Sequence, residues 1–274
     1  MPAFATPEPI TATVSTAGAK VRVVATERTD TTVLVEPVDS TNKPDVKVAE
    51  GVKVEFAAGE LSIKTTKSGA KTGSVAITIE LPAGSGLVLK TAWTDVRAEG
   101  LLGECVLEMG SGQVELERIT AVRGSLVAGG FAVGHVAGTV DLQGGAAGVR
   151  IGEVEGTVRY VGSTGKVWIG HARSDVDLNG ASGSFDIDRA EGSVIAKAAN
   201  CPIRVGRMTR GQADLMNASG GIEVGIGAGA AADVDADSTK GVVRNSLPAN
   251  DLAAETVKVY ARTRLDDIVI HPAA

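Results

Sequence analysis

Aromatic residues are scarce in this chain, at 3% of 274 residues: two Trp, two Tyr and four Phe. A core with so few rings must be aliphatic and narrow enough for Val, Leu and Ile to fill. Cysteine is scarcer still. Cys105 and Cys201 stand 96 positions apart. No apolar run approaches the ~20 residues that a bilayer-crossing helix needs. A basic stripe is missing too, since Lys64, Lys67 and Lys71 are interrupted and the net charge is -6. That balance excludes a nucleic-acid or anionic-membrane binder, which neutralises phosphates with clustered Lys and Arg. The opening residues, Met1 to Pro9, hold neither a basic segment nor an apolar stretch of secretory type. They predict a cytoplasmic protein.

Catalytic signatures are missing as well. The chain contains no GxSxG, P-loop, HExxH, CxxC or EF-hand pattern. Gly144-Gly145 is followed by Ala146-Ala147-Gly148, which breaks the glycine-aspartate calcium repeat. The sequence therefore predicts no enzyme, no catalytic residue, no cofactor and no resident metal.

What the chain has is a period. Val140, Val158, Val176 and Val194 are spaced by eighteen residues. Val149, Val167, Phe185 and Ile203 keep the same step, and so do Ile151, Ile169, Ile187 and Val205. A fixed period near twenty residues marks a solenoid, whose units bury their apolar faces only by stacking. Within each unit the apolar residues alternate, which means strand. A small residue and a glycine recur between the first and second strands, as at Ser111-Gly112, Thr164-Gly165 and Ser182-Gly183. Glycine there supplies a left-handed turn residue without a Cβ clash. A helical reading fails, because apolar residues do not recur at three- and four-residue spacing.

The repeats run from 86 to 230, with an irregular coil over 123–139. Residues 1–85 are strand-rich but out of register, and read as early coils or an antiparallel cap. Asp39 to Pro44 and Thr65 to Gly73 read as loops. Residues 231–274 read as strands that close the far end of one continuous domain. At ~4.8 Å per strand the two cysteines would be roughly 24 Å apart, too far for a disulfide. Cys105 takes an inward slot. Cys201, before Pro202 at a turn, is expected to be the more exposed.

Outward residues stack by the same step. Arg150 falls beside Trp168, followed by Asp186, Arg204 and Glu223, so Arg150 and Trp168 form a candidate surface contact. His135, Glu153 and His171 fall on successive coils. Their side chains are of metal-ligand type. At ~4.8 Å per coil, however, the two histidines are ~10 Å apart, which favours a neutral charge ladder.

With the repeats written out, the chain resembles the putative adhesin family of bacterial β-solenoid proteins, in its actinobacterial form. The residues that carry the resemblance are Thr6 to Ile10, Ile79 to Ser85, Gly103 to Cys105, the coil at 149–156, Arg244 to Leu247, Glu255 to Val259 and Ala261 to Thr263. The resemblance implies a right-handed parallel β-helix of about 18 residues per coil and a surface adhesion role, and carries over no catalytic residues. The coil size is also similar to that of bactofilins, cytoskeletal β-helices that polymerise end to end. The function read from the chain is a non-enzymatic scaffold that binds a protein partner or its own copies in the cytoplasm. The alternative is a cell-surface adhesin-like binding module.

Overall fold

A computed structural model describes residues 2–65, 73–248 and 255–273. The chain divides into two compact units, Met1–Ala137 and Gly138–Ala274. It is an all-β parallel β-helix. The loop expected between Thr65 and Gly73 lies almost wholly outside the described residues.

In the second unit the eighteen-residue rows become columns of paired strands. Val140 pairs with Val158, Val158 with Val176, and Val176 with Val194. Val149 pairs with Val167, Val167 with Phe185, and Phe185 with Ile203. All of these are buried. The alternating pleat turns each intervening residue outward. The step stretches to nineteen where Val194 meets Ala213 and Ile203 meets Ile222. In the first unit the irregular coil is a coil of seventeen, with Val114 on Phe131 and Ile119 on Val136.

Both ends depart from simple stacking. The first coil in sequence, Thr11–Ala17 and Ala19–Thr26, is not the outermost. Thr11–Ala17 lies between Glu60–Lys64 and Gly86–Ala92. Ala19–Thr26 lies between Val75–Pro82 and Asp95–Met109. The outer coil is then covered by antiparallel strands, Asp30–Pro37 on Val75–Pro82 and Lys53–Ala57 on Glu60–Lys64. Early coils and antiparallel cap are therefore both present.

The second unit repeats the device. Glu255–Thr263 lies between Gln212–Met216 and Ala230–Ser238. Ile268–Pro272 lies between Ile222–Ile226 and Val243–Asn245. Glu255–Thr263 and Ile268–Pro272 are tucked one coil in, and Ala230–Ser238 with Val243–Asn245 forms the outer coil.

Among the described residues one helix, Lys43–Glu50, starts at the end of the loop read over Asp39 to Pro44 and runs on past it. Pro44 sits in its first turn, where a missing N–H is harmless. Asp45 is buried beneath it. Its carboxylate accepts hydrogen bonds from the N–H groups of Asp39 (3.0 Å) and Ser74 (2.8 Å), which ties the helix to the ends of two strands.

The interior is aliphatic, with three aromatic rings among its largest side chains: Phe131, Tyr160 and Phe185. Tyr160 and Phe185 meet edge-on at 6.3 Å. Glycine makes room for them. A Cβ on Gly162 would lie 2.2 Å from the Tyr160 oxygen, and one on Gly144 would lie 2.3 Å from it. That hydroxyl has no hydrogen-bond partner among the described residues. An unpaired buried hydroxyl costs about 1–3 kcal/mol, so Tyr160→Phe should leave the urea midpoint unchanged or raise it. Two turn glycines should separate the effect of space from that of backbone strain. Gly183 has φ +118°, and its Cβ would sit 2.0 Å from the Gly165 carbonyl oxygen; Gly229 has φ +88° with nothing within 4 Å. Gly229→Ala should cost about 1–2 kcal/mol, the left-handed strain alone. Gly183→Ala should cost clearly more in the same denaturation series.

Candidate binding groove

The outward ladder of the second unit pairs as the period predicts: Arg150 with Trp168, Trp168 with Asp186, Asp186 with Arg204, and Arg204 with Glu223. The Arg150 guanidinium carbon lies 4.0 Å from the centre of the Trp168 ring. The same ring packs over Gly170, where a Cβ would meet it at 2.9 Å. The indole is thus held between a cation and the sheet, and a ligand stacking there must first displace Arg150. Further along, Arg204 donates to Asp186 (2.7 Å) and Asp188 (3.0 Å). Those two hydrogen bonds, in that order, raise its pKa.

The histidine ladder resolves differently. His135 pairs with Arg118 in the first unit. In the second unit Glu153 pairs with His171, and His171 with Arg189. His171 Nδ1 lies 3.4 Å from Glu153, and Nε2 lies 3.0 Å from Glu191, a residue the period did not single out. Glu191 comes from the turn two residues after Arg189, which contacts it at 2.6 Å. Arg173 holds Glu153 at 2.7 Å. Among the described residues no group of three or more His, Cys, Asp or Glu side chains is placed to hold a metal ion. Burial pushes the Glu191 carboxyl up, but the His171 hydrogen bond and the nearby Arg189, His171 and Arg210 charges together bring it below its ordinary 4.5.

Both cysteines are free and buried. Cys201 is fully buried, contrary to the exposure expected from its place before Pro202. The turn folds inward because Asn217 donates to the carbonyls of Cys201 (2.8 Å) and Gly221 (3.0 Å). Burial drives the Cys201 thiol to about 11 and the Cys105 thiol to about 12.

One concave feature of the second unit is a groove of about 810 Å³. Its floor is the column just before the second strand of each coil: Ser184, Pro202, Gly221, Asp267 and Val242. These residues immediately precede the paired positions Phe185, Ile203, Ile222, Ile268 and Val243. Four steps of ~4.8 Å make the column ~19 Å long. Arg204 and Glu223 form one wall; Lys240 and Leu265 stand on the other. Val242 is 52% exposed and Leu265 41%. Each acid here has a structural partner. Asp186 takes Arg204, Glu223 lies 3.2 Å from His271, Asp266 accepts from Gly220 N–H, and Asp267 accepts from Arg244 and Val242 N–H. The periodic reading missed this groove because Ile222 pairs with Ile268, 46 positions on. The Gly220-Gly221 pair was the available signal.

The architecture is a parallel β-helix, with an open groove on its second unit. No family model matches the chain, and no curated protein does. Solved structures do. A crystal structure called a "putative adhesin" from Bacteroides fragilis NCTC 9343 is 13% identical, with TM-score 0.40, over 98% of this chain and 95% of that one. Another from Parabacteroides merdae ATCC 43184 is 11% identical, with TM-score 0.41, over 97% and 94%. A "putative cell adhesion protein" from Clostridium sporogenes ATCC 15579 is 12% identical, with TM-score 0.21, over 99% and 98%. Likeness at this level carries no argument about function.

Two outcomes follow from the geometry. A depressed carboxyl contributes stability above its ordinary value and loses it as pH falls through the folded value. Glu191→Gln should therefore lower the urea midpoint at neutral pH. It should also flatten the decline of stability below pH 4.5, when midpoints are compared across about pH 3 to 7. Because a thiolate is the reactive form, both cysteines should resist an aromatic disulfide reagent at about pH 8. Both should react at once in denaturant; rapid labelling of Cys201 in the native protein would contradict its placement.

Proposed function

We propose that the chain is a non-enzymatic binding module that receives a protein partner in the groove of its second unit. The observation that carries this reading is the pairing of exposed Val242, Leu265 and Pro202 with Lys240, a cation that makes no ion pair among the described residues, above acids that already have partners. An apolar side chain flanked by a carboxylate complements that surface. Exposed apolar clusters rimmed by polar groups are typical of interaction sites. The partnered acids also support the non-enzymatic reading, because glycoside hydrolysis needs two free carboxyl groups a few ångströms apart. Among the described residues no helix is long and apolar enough to cross a membrane. We place the module in the cytoplasm, and fractionation of the native host tests that placement against a cell-surface one.

Self-association is a second reading, supported by one observation. Ala230–Ser238 and Val243–Asn245 each pair on one side among the described residues. An open strand edge is a template for another strand. Asp233, Asp235 and Asp237 stand exposed along it, a pattern that also restrains unwanted pairing.

A partner recovered on the immobilised parent should be lost by Val242→Asp and Leu265→Asp at an unchanged thermal midpoint. Retention by both variants overturns the groove. Sedimentation velocity over a hundredfold range of concentration separates the second reading, which a strict monomer would end.

A further inference from the structure

Trp93 is out of place in two independent ways. Its φ is +49°, in the left-handed region, and it is 69% exposed. For a bulky residue that backbone geometry is a genuine outlier. The turn explains where the strain arises but not why a tryptophan carries it. Several coils place a left-handed residue between their first two strands. In four of them it is the seventh residue after the first inward position, and it is glycine: Gly112 (+121°), Gly129 (+94°), Gly183 (+118°) and Gly220 (+110°). In the coil that starts at Leu87 the seventh residue is Thr94, fully buried. Its hydroxyl donates to the Ala92 carbonyl at 3.0 Å and lies 3.2 Å from that of Thr16. The left-handed residue of this coil stands one position earlier, at Trp93. The neighbouring first coil makes the same shift and places Gly18 there, at +74°. At this sixth position other coils hold Ser111, Ala128, Thr164 or Ser182. The fold thus accepts glycine or a small residue where this coil has an indole.

The turn is also hydrogen-bonded to both neighbouring coils. Trp93 N–H donates to Ser111 Oγ at 3.1 Å, and Gly18 N–H donates to the Ala92 carbonyl at 2.9 Å. On the second-strand face the first unit has a hollow of about 480 Å³, whose lining starts two residues after Trp93, at Asp95. Lys20, Arg22, Asp95, Arg97, Gln113 and Glu115 line this hollow. Asp95 follows Trp93 by two residues, so their Cα atoms are within about 7 Å. Arg22 and Arg97 are register neighbours, and Glu99 contacts both at 3.1 and 3.7 Å. Lys20, Gln113 and Glu115 keep their side-chain polar groups uncommitted among the described residues.

We propose that Trp93 and this hollow form a carbohydrate site, with the indole stacking on a pyranose ring and Lys20, Gln113 and Glu115 binding its hydroxyls. The apolar C–H face of a sugar carries slightly positive hydrogens that suit the negative face of an indole. Donors and acceptors of both signs are mixed along the hollow, which suits an uncharged polyol better than a phosphate or an acidic polymer. The volume falls in the ordinary range for small-ligand pockets. A strained residue held in place by its surroundings is the form that stored strain takes at functional sites. This site is separate from the groove of the second unit, so either can fail without the other.

The test is intrinsic fluorescence of the full chain titrated with cellohexaose, mannohexaose and chitohexaose, and with hexagalacturonate as the anionic arm. Trp168, covered by Arg150, is the internal control. At least one neutral hexasaccharide should quench saturably in the parent and in Trp168→Phe. Trp93→Gly should weaken that binding at least tenfold while its thermal midpoint stays level or rises, because glycine fits the turn. Trp93→Phe should keep part of the affinity. The proposal is overturned if no neutral sugar quenches at about 10 mM, weaker than any useful specific affinity. It is equally overturned if only hexagalacturonate binds, or if Trp93→Gly binds like the parent. A host protein retained by the parent and lost by Trp93→Gly, with every sugar inert, would replace the sugar with a protein at this turn.

Discussion

Everything in this molecule depends on a parallel ladder that keeps register while the chain travels one coil. Parallel strands cannot be joined by a tight hairpin, so each pairing needs a connection long enough to return the chain to its start. Here the rest of the coil is that connection. In the regular coils of the second unit it is made of one further strand and its turns. Because each inward residue meets its counterpart one coil away, a single slip would move a whole row from core to solvent. The valine column from Val140 to Val194 is the visible result.

That constraint explains what could be read from the sequence. A residue in the middle of the stack has the same environment above and below, so the same residue type recurs and the period appears. Inward columns, the outward ladder from Arg150 to Glu223 and the all-β class were legible for this reason. The ends were not. Where Thr11–Ala17 sits between Glu60–Lys64 and Gly86–Ala92, neighbours in space are no longer successive in sequence. Spacing then carries no information. The helix at Lys43–Glu50 was hidden because Val46 and Val48 imitate strand alternation and Pro44 imitates a loop. Burial of Cys201 depends on Asn217, sixteen residues away, whose role no local pattern announces.

The candidate sites follow the same division. In the second unit the ladder residues from Arg150 to Glu223 pair in register, yet they neutralise one another or pack down. His171 engages Glu153 as the period indicates, but also Glu191 from a turn. Surfaces with uncommitted groups arise where regularity fails: at the groove built by the returning C-terminal strands, and at the coil where Thr94 replaces a turn glycine. A regular solenoid offers the same face on every coil. Exceptions to its rule therefore localise whatever is particular to this chain.

The tucked ends have a consequence for how such a protein can change length. In an ordinary stack a new coil is added at an end, where only one neighbour must accept it. Here each end carries a coil that the chain visits out of order, so the outermost position is already fixed by strands on both sides in sequence. Duplication at a terminus would have to rebuild that weave. Duplication in the middle only repeats an existing environment. Within each unit, growth and loss of coils are thereby confined to the regular stack and kept away from the woven coil.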